Sequence, residues 1–393
     1  MEGLKKLKGV KKAEAAGSLR RGLETIGDLD LVVAAENPKP VMNWFTKLGQ
    51  EVLAKGDTKS SIKLEDGLQV DIRIVTEKEY PFALLYFTGS KEHNIKMRGK
   101  FLKKGLSLSE YGFKPAKIPV KSEEDIYKAL KLDYIPPELR ENRGEFDAKI
   151  PKLIEVEDIR GTFHNHTAAS DGRNTLKEMV AAAEKMGWEY IGISDHSRSS
   201  VQANGLSEER LTAQIAEIQK LKTDIHVFSG LECDILADGS LDFSEAVLSK
   251  LDYVIASVHS SLTQDEKTMT KRLIKAVEHP STTMIGHLTG RLLLRREAYA
   301  INTTKVIDAC IANKKIIELN GNPERLDMDW RLWQSAVEKG LLCCINTDAH
   351  AVSNHQFIRA GVKIARKGWL QAKDVINTLP LKEILKLLKE MHP

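Results

Sequence analysis

Gly161-Thr162-Phe163-His164-Asn165-His166-Thr167 sets a short apolar run directly against an H-x-H pair. Alternation along a strand places both imidazoles on one side. The arrangement recurs down the chain. The apolar run 190–194 leads into Asp195-His196, 226–231 into Glu232, 253–258 into His259, 283–286 into His287, and 342–346 through Thr347 into Asp348-Ala349-His350. Of seven such runs, only 315–319 has no metal-competent residue directly after it. Between the runs lie amphipathic helical patterns at 176–186, 208–221 and 304–312, with Asn174 as the expected cap of the first. Strands every 25–35 residues or so, separated by helices, predict βα units and hence a parallel sheet or barrel.

In a barrel, the C-terminal ends of the strands converge on one mouth. His164, His166, Asp171, His196, Glu232, His259, His287, Asp348 and His350 would then face one cavity, and they include six of the 11 histidines. These are too many donors for a single zinc, so two or three metals are expected. Imidazole and carboxylate without thiolate suits Zn, Mn or Fe. Cys233 adjoins Glu232, but alternation turns it to the other face. Clustered divalent metals favour phosphoester hydrolysis. A cation near the mouth would hold the phosphate. Arg198, Arg291 and Arg325 all follow strand ends, and Arg291 is favoured because it closely follows His287.

The chain has 393 residues and a 42% hydrophobic composition, enough for two or three domains. No stretch approaches about 18 consecutive apolar residues, which excludes a membrane-spanning helix. The first residues lack the apolar core of a signal peptide. Cys233, Cys310, Cys343 and Cys344 show no C-x-x-C spacing and read as reduced core thiols of a cytoplasmic protein. The net charge of +4 is unevenly spread: residues 1–150 hold 28 Lys and Arg against 23 Asp and Glu, and the remainder hold 31 against 32. Much of the surplus lies in 91–104, where Lys91, Lys96, Arg98, Lys100, Lys103 and Lys104 face only Glu92. Such a run is either a solvated helix face or a phosphate-contacting surface. Pro136-Pro137 and the polar run 139–149 predict a linker over 136–158. The expected division is 1–135, 136–158 and 159–393.

Ahead of the linker, strands at 29–34 and 68–75 and a helix at 40–49 predict an α+β domain. Asp28-Leu29-Asp30 puts two carboxylates on one strand face, and Asp71 in Val70-Asp71-Ile72-Arg73 offers a third. Three carboxylates bind Mg²⁺ well when a triphosphate supplies further oxygens. Gly17-Ser18, expected at a helix N-terminus, presents amides and a hydroxyl to phosphate. This points to two-metal nucleotidyl transfer.

The motifs from His164-Asn165-His166 to Asp348-Ala349-His350 resemble those of the PHP (polymerase and histidinol phosphatase) domain. That resemblance implies a distorted seven-stranded (β/α) barrel with a trinuclear metal centre, and all nine ligand positions are filled. Residues 17–30 and Tyr86-Phe87-Thr88-Gly89-Ser90, followed by Asn94 and Arg98, resemble the palm of family X DNA polymerases. The resemblance implies a nucleotidyltransferase palm with a thumb. It gives Asp28, Asp30 and Asp71 as catalytic residues, and Gly17, Ser18, Arg21, Tyr86, Phe87, Gly89, Asn94 and Arg98 as nucleotide or DNA contacts. The order palm, thumb, linker, PHP domain is that of bacterial family X polymerases.

That family implies dNTP with Mg or Mn in the palm. It also implies gapped or damaged duplex DNA and primer 3′ ends as partners, and a 3′-5′ exonuclease, AP endonuclease or 3′-phosphatase in the barrel. A monomer in DNA repair is expected. Family members carry a lyase-type domain and fingers before the palm, whereas sixteen residues precede Gly17 here, so impaired gap filling is expected. The alternatives are a histidinol-phosphatase-type enzyme with a vestigial palm, and a DNA-binding scaffold with structural metals.

Overall fold

In a computed structural model, which describes residues 1–115 and 118–391, the chain forms two compact units, Met1–Pro151 and Lys152–Pro393. The division falls inside the 136–158 segment.

The first unit is built on β1 (Val10–Ala15), β2 (Asp28–Ala35), β3 (Glu51–Lys55), β4 (Lys59–Lys63) and β5 (Gln69–Val75), in the order β1-β2-β5-β4-β3. β2 and β5 are parallel and the other pairs antiparallel. Val33, Ile72 and Ile74 form a core with Val41, Met42 and Phe45 of the helix Pro38–Thr46. Val32, Ala34 and Val75 pack instead with Tyr80, Ala83 and Leu84 of the helix Tyr80–Thr88. The alternating residues of β2 therefore serve two cores, which is why its C-terminal half is wholly apolar. A hairpin of β6 (Ser107–Ser109) and β7 (Gly112–Lys114) follows the helix Lys91–Leu102.

Part of the polar run after Pro136-Pro137 packs firmly within this unit. Arg140 is fully buried and donates to Glu123 Oε1 (2.6 Å), while Arg20 donates to Glu123 Oε2 (2.6 Å). Arg21 donates to Glu141 (3.0 Å). The segment thus holds the short helix Gly17–Arg21 in place.

The second unit contains β8 (Gly161–Thr162), β9 (Tyr190–Ile193), β10 (His226–Asp234), β11 (Tyr253–Ser257), β12 (Met284–Ile285), β13 (Ile316–Asn320) and β14 (Cys343–Asn346). All seven expected strands form, in one parallel sheet ordered β14-β13-β12-β11-β10-β9-β8. The ends of the sheet meet beyond β8 and β14. His166 N donates to Ala349 O (2.8 Å), Ala349 N to His164 O (3.2 Å), and Phe163 N to the Asn346 side chain (2.9 Å). The result is a nearly closed seven-stranded barrel.

Aromatic residues fill the barrel interior: Phe163, Tyr190, Phe228 and Tyr253 pack with Ile384 and Leu388 of the helix Leu381–Met391. The three expected helices form as Leu176–Lys185, Glu208–Lys220 and Thr303–Ala312. The cap of the first is Thr175 rather than Asn174. Thr175 closes a reciprocal capping box with Glu178, and Asn174 Oδ1 instead accepts from Val352 N (3.0 Å). All four cysteines are buried and free. No described helix is long and apolar enough to cross a membrane.

Candidate active sites in the two units

In the first unit, Asp28 and Asp30 share one face of β2, and Asp30 is the register partner of Asp71 on β5. Burial, then repulsion from Asp28 and Asp71, raises the Asp30 carboxyl to about 6. Carboxylates held together against their own repulsion suit a cation. Gly17 explains how closely the helix Gly17–Arg21 approaches: its φ is +58°, and a Cβ there would lie 2.2 Å from Asp30 Oδ2.

The eight residues expected to contact nucleotide or DNA line one cavity of ≈ 400 Å³ together with Asp28 and Asp30. Asp71 opens onto an adjacent recess of ≈ 100 Å³ with Lys59, Arg73 and Phe87, and Asp30 lines both. Asn94 does not cap its helix; Ser90 does, accepting from His93 N (3.2 Å). Asn94 Nδ2 donates to Tyr86 O (2.7 Å), tying the two cavity walls together. Arg21 donates to Thr88 O (2.6 Å) as well as to Glu141, so its guanidinium is anchored within the protein.

Two residues that sequence reasoning missed hold Asp71. Ser61 donates to Oδ1 and Gln69 Nε2 to Oδ2 (2.9 Å). Ser61 is the register partner of Asp71 on β4, a position that gives no signal without the register, whereas Gln69 stands two residues before Asp71 on β5, on the same face by alternation.

The basic run divides between the two readings offered for it. His93, Met97 and Phe101 form the buried stripe of the helix Lys91–Leu102. Lys96 pairs with Asp147 (2.9 Å), Lys96 and Lys100 lie over the Phe146 ring, and Lys104 donates to Ala129 O (3.3 Å). Lys91 and Arg98 line the cavity.

In the barrel, the nine expected ligands converge. Glu232 is central. His164, His166 and His196 approach its Oε2 at 3.3, 3.6 and 2.9 Å, and His259 and His287 approach Oε1 at 3.2 and 2.9 Å. Asp348 Oδ1 lies 3.3 Å from His166 and 3.6 Å from His164. Asp171 Oδ2 lies 3.6 Å from His196 and 3.3 Å from His350. Donor atoms fall into three overlapping groups: His164, His166 and Asp348; His166, Asp171, His196 and His350; and His196, Glu232 and His259.

Burial and the neighbouring His350 and His196 push His166 down to about 3, so it offers a lone pair rather than a charge. The His164 Nε2 and both His166 ring nitrogens are buried without a hydrogen-bond partner. Buried, orphaned imidazole nitrogens around a carboxylate fit divalent metal ions and little else. Asp348 (φ 49°) adopts a conformation unusual for a side-chain-bearing residue, a strain common at functional sites.

The candidate ligands have supports that strand-end reasoning overlooked. His259 Nδ1 pairs with Asp234, and His164 Nδ1 with Glu318 (2.6 Å). Glu318 lies on β13, the strand with no ligand beyond its end; a buried acid between Ile317 and Leu319 was the available signal. Asp195 accepts from Thr167 N (2.7 Å) and Thr167 Oγ1 (2.7 Å), fixing the loop that carries Asp171.

The expectation for Arg291 changes. Its guanidinium is turned to Asp329 (3.2 Å) and to the carbonyls of Arg325 and Leu326. Arg325 reaches the centre instead: Nε donates to Asp348 Oδ2 (3.1 Å), and its buried Nη1 has no partner. Arg198 is held by Asp242.

Residues 83–141 match the DNA polymerase beta thumb model and residues 162–322 the PHP domain model. The chain is 41% identical over 391 residues to the DNA polymerase/3′-5′ exonuclease PolX of Bacillus subtilis (strain 168), spanning 96% of this chain and 69% of that protein. A probable phosphatase of Caldicellulosiruptor saccharolyticus is 33% identical over 161 residues, 40% of this chain and 64% of that protein. Another from Thermoanaerobacter sp. (strain X514) is 26% identical over 241 residues, 58% of this chain and 93% of that protein.

Proposed function

Because the chain belongs to the PolX family of DNA polymerase/3′-5′ exonucleases, we propose that it adds nucleotides to DNA primer ends in its first unit and removes them in its barrel. The first unit is read as nucleotidyltransferase palm and thumb, and the second as the PHP phosphoesterase. The work is DNA repair in the cytoplasm, on gapped or damaged duplex, by a monomer. The observation that carries this reading is the Asp28, Asp30 and Asp71 triad beside a cavity lined by Gly17 and Tyr86. A small-molecule phosphatase has no use for it.

In the palm, Asp28, Asp30 and Asp71 hold Mg²⁺ or Mn²⁺ with the dNTP triphosphate. Ser18 and the Gly17 backbone cradle phosphate, with Arg21 beside them. Tyr86, Phe87 and Gly89 pack along the nucleotide, Asn94 meets the base, and Arg98 meets the template strand. Asp71, oriented by Ser61 and Gln69, accepts the proton of the primer 3′-OH from the adjacent recess.

In the barrel, His164, His166, Asp171, His196, Glu232, His259, His287, Asp348 and His350 hold up to three metals, Zn, Mn or Fe. When bound, they supply Lewis acidity towards a phosphodiester and its attacking water. The unpartnered Nη1 of Arg325 receives a phosphate oxygen while Nε keeps Asp348 in place.

The test is a labelled gapped duplex with Mg²⁺ and Mn²⁺ compared. Wild type should extend and degrade the primer. His166→Ala and Asp348→Ala should lose degradation and keep extension, and Asp28→Ala with Asp30→Ala should do the reverse. Degradation that survives both barrel substitutions rejects the barrel as nuclease. Turnover of histidinol phosphate, with neither extension nor degradation of DNA, would favour the phosphatase reading that the partial relatives allow.

A further inference from the structure

Glu318 is fully buried, and each of its oxygens takes two donors. Oε1 accepts from His164 Nδ1 (2.6 Å) and Asn346 Nδ2 (3.1 Å). Oε2 accepts from His287 N (2.6 Å) and Asn320 Nδ2 (3.2 Å). With four donors around it, the carboxylate has no lone pair left for a metal. Its partners are themselves the ligands or touch them. His164 lies in the group with His166 and Asp348. His287 lies against Glu232 with His259. Asn320 Nδ2 also donates to Asp348 Oδ2 (3.1 Å), so a second path runs from Glu318 to the first of these groups. Among the described contacts, none joins Glu318 to Asp171, His196 or His350.

We infer that Glu318 is a positioning residue that braces two of the three metal subsites, the one at His164 and Asp348 and the one at Glu232 and His259 beside His287, and has no described contact with Asp171, His196 or His350 of the third, which shares His166 with the first and His196 with the second. The inference rests on the three-subsite reading of the barrel. The physical basis is specific. Donation from His164 Nδ1 to the carboxylate fixes the ring and leaves Nε2, an orphaned buried atom, as the metal donor. The bond from His287 N holds the peptide at the point where the chain leaves β12. One side chain thereby sets the spacing between ligands that arrive from β8, β12 and β14. A neutral amide in its place is close in shape but not in chemistry. Two of its positions become donors, and these must face either His164 and Asn346 or His287 and Asn320, all of which donate.

The experiment uses the full chain, stripped with chelator and titrated with Mn²⁺. Stoichiometry and affinity come from calorimetry, and low-temperature EPR distinguishes neighbouring exchange-coupled Mn²⁺ ions from an isolated ion. Wild type should bind three ions with a coupled signal. Glu318→Gln should keep one site near wild-type affinity, bind the other two about 10–100-fold more weakly, and show an isolated six-line spectrum at one equivalent. His350→Ala should lose the site that Glu318→Gln keeps. Three affinities within twofold of wild type in Glu318→Gln, or an equal loss at all three, would overturn the brace. Wild-type stoichiometry below three would overturn the three-subsite reading alone. The brace would then be judged by whether Glu318→Gln weakens the sites that His350→Ala spares. Should Glu318→Gln fail to fold, Asn320→Ala keeps the carboxylate with its His164 and His287 donors and cuts the path to Asp348, along with the bond from Asn322 N. It should weaken one site, and an unchanged titration of that variant would count against the brace.

Discussion

Gly17 has no room for a side chain: its φ is +58° and Asp30 Oδ2 stands 2.2 Å from where a Cβ would be. Gly17→Ala should displace the carboxylate or the helix start, and a shift of about 1 Å at reacting groups costs on the order of 100-fold in rate. Primer extension should fall by about that factor while 3′ degradation is unchanged; extension within threefold of wild type would remove Gly17 from the site. In the barrel, burial opposes the charging of His350 and His259. The carboxylates of Asp171 and Asp348 nonetheless raise His350 to about 9, and those of Glu232 and Asp234 raise His259 to about 10. Without metal both rings are therefore protonated at pH 7, and coordination must expel those protons. Against burial, the carboxylates of Glu318 and Glu232 likewise raise His164 well above its ordinary range, so metal binding at pH 7 should release about three protons, seen as a dependence of calorimetric heat on the buffer's ionisation enthalpy, and affinity should rise from pH 7 to pH 9. No buffer dependence would mean that these rings are not ligands. Residues that announce themselves at strand ends were legible: the nine candidate ligands were named from the sequence, and the structure brings them together. Asp234 and Ser61 were not legible, because their roles depend on which strands become neighbours; Glu318 showed only as an acid inside an apolar run, with nothing to say which ring it meets. Arg291 misled for the same reason: nearness to His287 in sequence does not fix the direction of a long side chain.

At the scale of elements, the barrel strands were readable because each is a short apolar run that ends in polar residues. Strands buried on both faces lack alternation, but their edges are sharp. The first sheet was readable only at β2 and β5. β1 (VKKAEA) and β3 (EVLAK) are its edges, and charged residues that protect an edge from pairing also erase its strand signature. The linker reading missed packing of another kind. Arg140 sits in a polar run yet is buried against Glu123, where it and Arg20 outweigh the effect of burial and pull the Glu123 carboxyl down to about 2. Breaking a buried pair by removing one charge costs about 3–5 kcal/mol. Glu123→Gln should lower the stability of the first unit by that amount in denaturant titrations. The depressed carboxyl contributes stability that is fully present above its ordinary value near 4.5 and is lost as pH falls towards 2. The first unit of the wild type should therefore weaken steadily with acid below about pH 4.5, and Glu123→Gln should flatten that dependence. An equally steep acid limb in the variant would assign it to other carboxylates.

For the whole molecule, the composition concealed a division of labour. The surplus of positive charge lies in residues 1–150, but Lys96, Lys100 and Lys104 are engaged within the first unit. The near-neutral remainder holds a cluster of buried imidazoles and carboxylates whose balance is completed by metal charge. Metal should therefore be part of the stability of the second unit and not of the first. A ligand that binds only the folded state at about a thousandfold excess over its dissociation constant adds roughly 4 kcal/mol. For a unit of this size that corresponds to roughly 8–16 °C in melting temperature. Calorimetry of the full chain should show two transitions. Glu123→Gln identifies the one that belongs to Met1–Pro151 by lowering it. A chelator should lower the other, and added Mn²⁺ should restore it. His166→Ala should lower that transition in the presence of metal and make it insensitive to chelator, because the His166 ring enters two of the three ligand groups. If the chelator instead moves the transition that Glu123→Gln moves, or moves neither, the imidazole cluster is not where the chain's metal resides, and the barrel's chemistry would have to be sought without it.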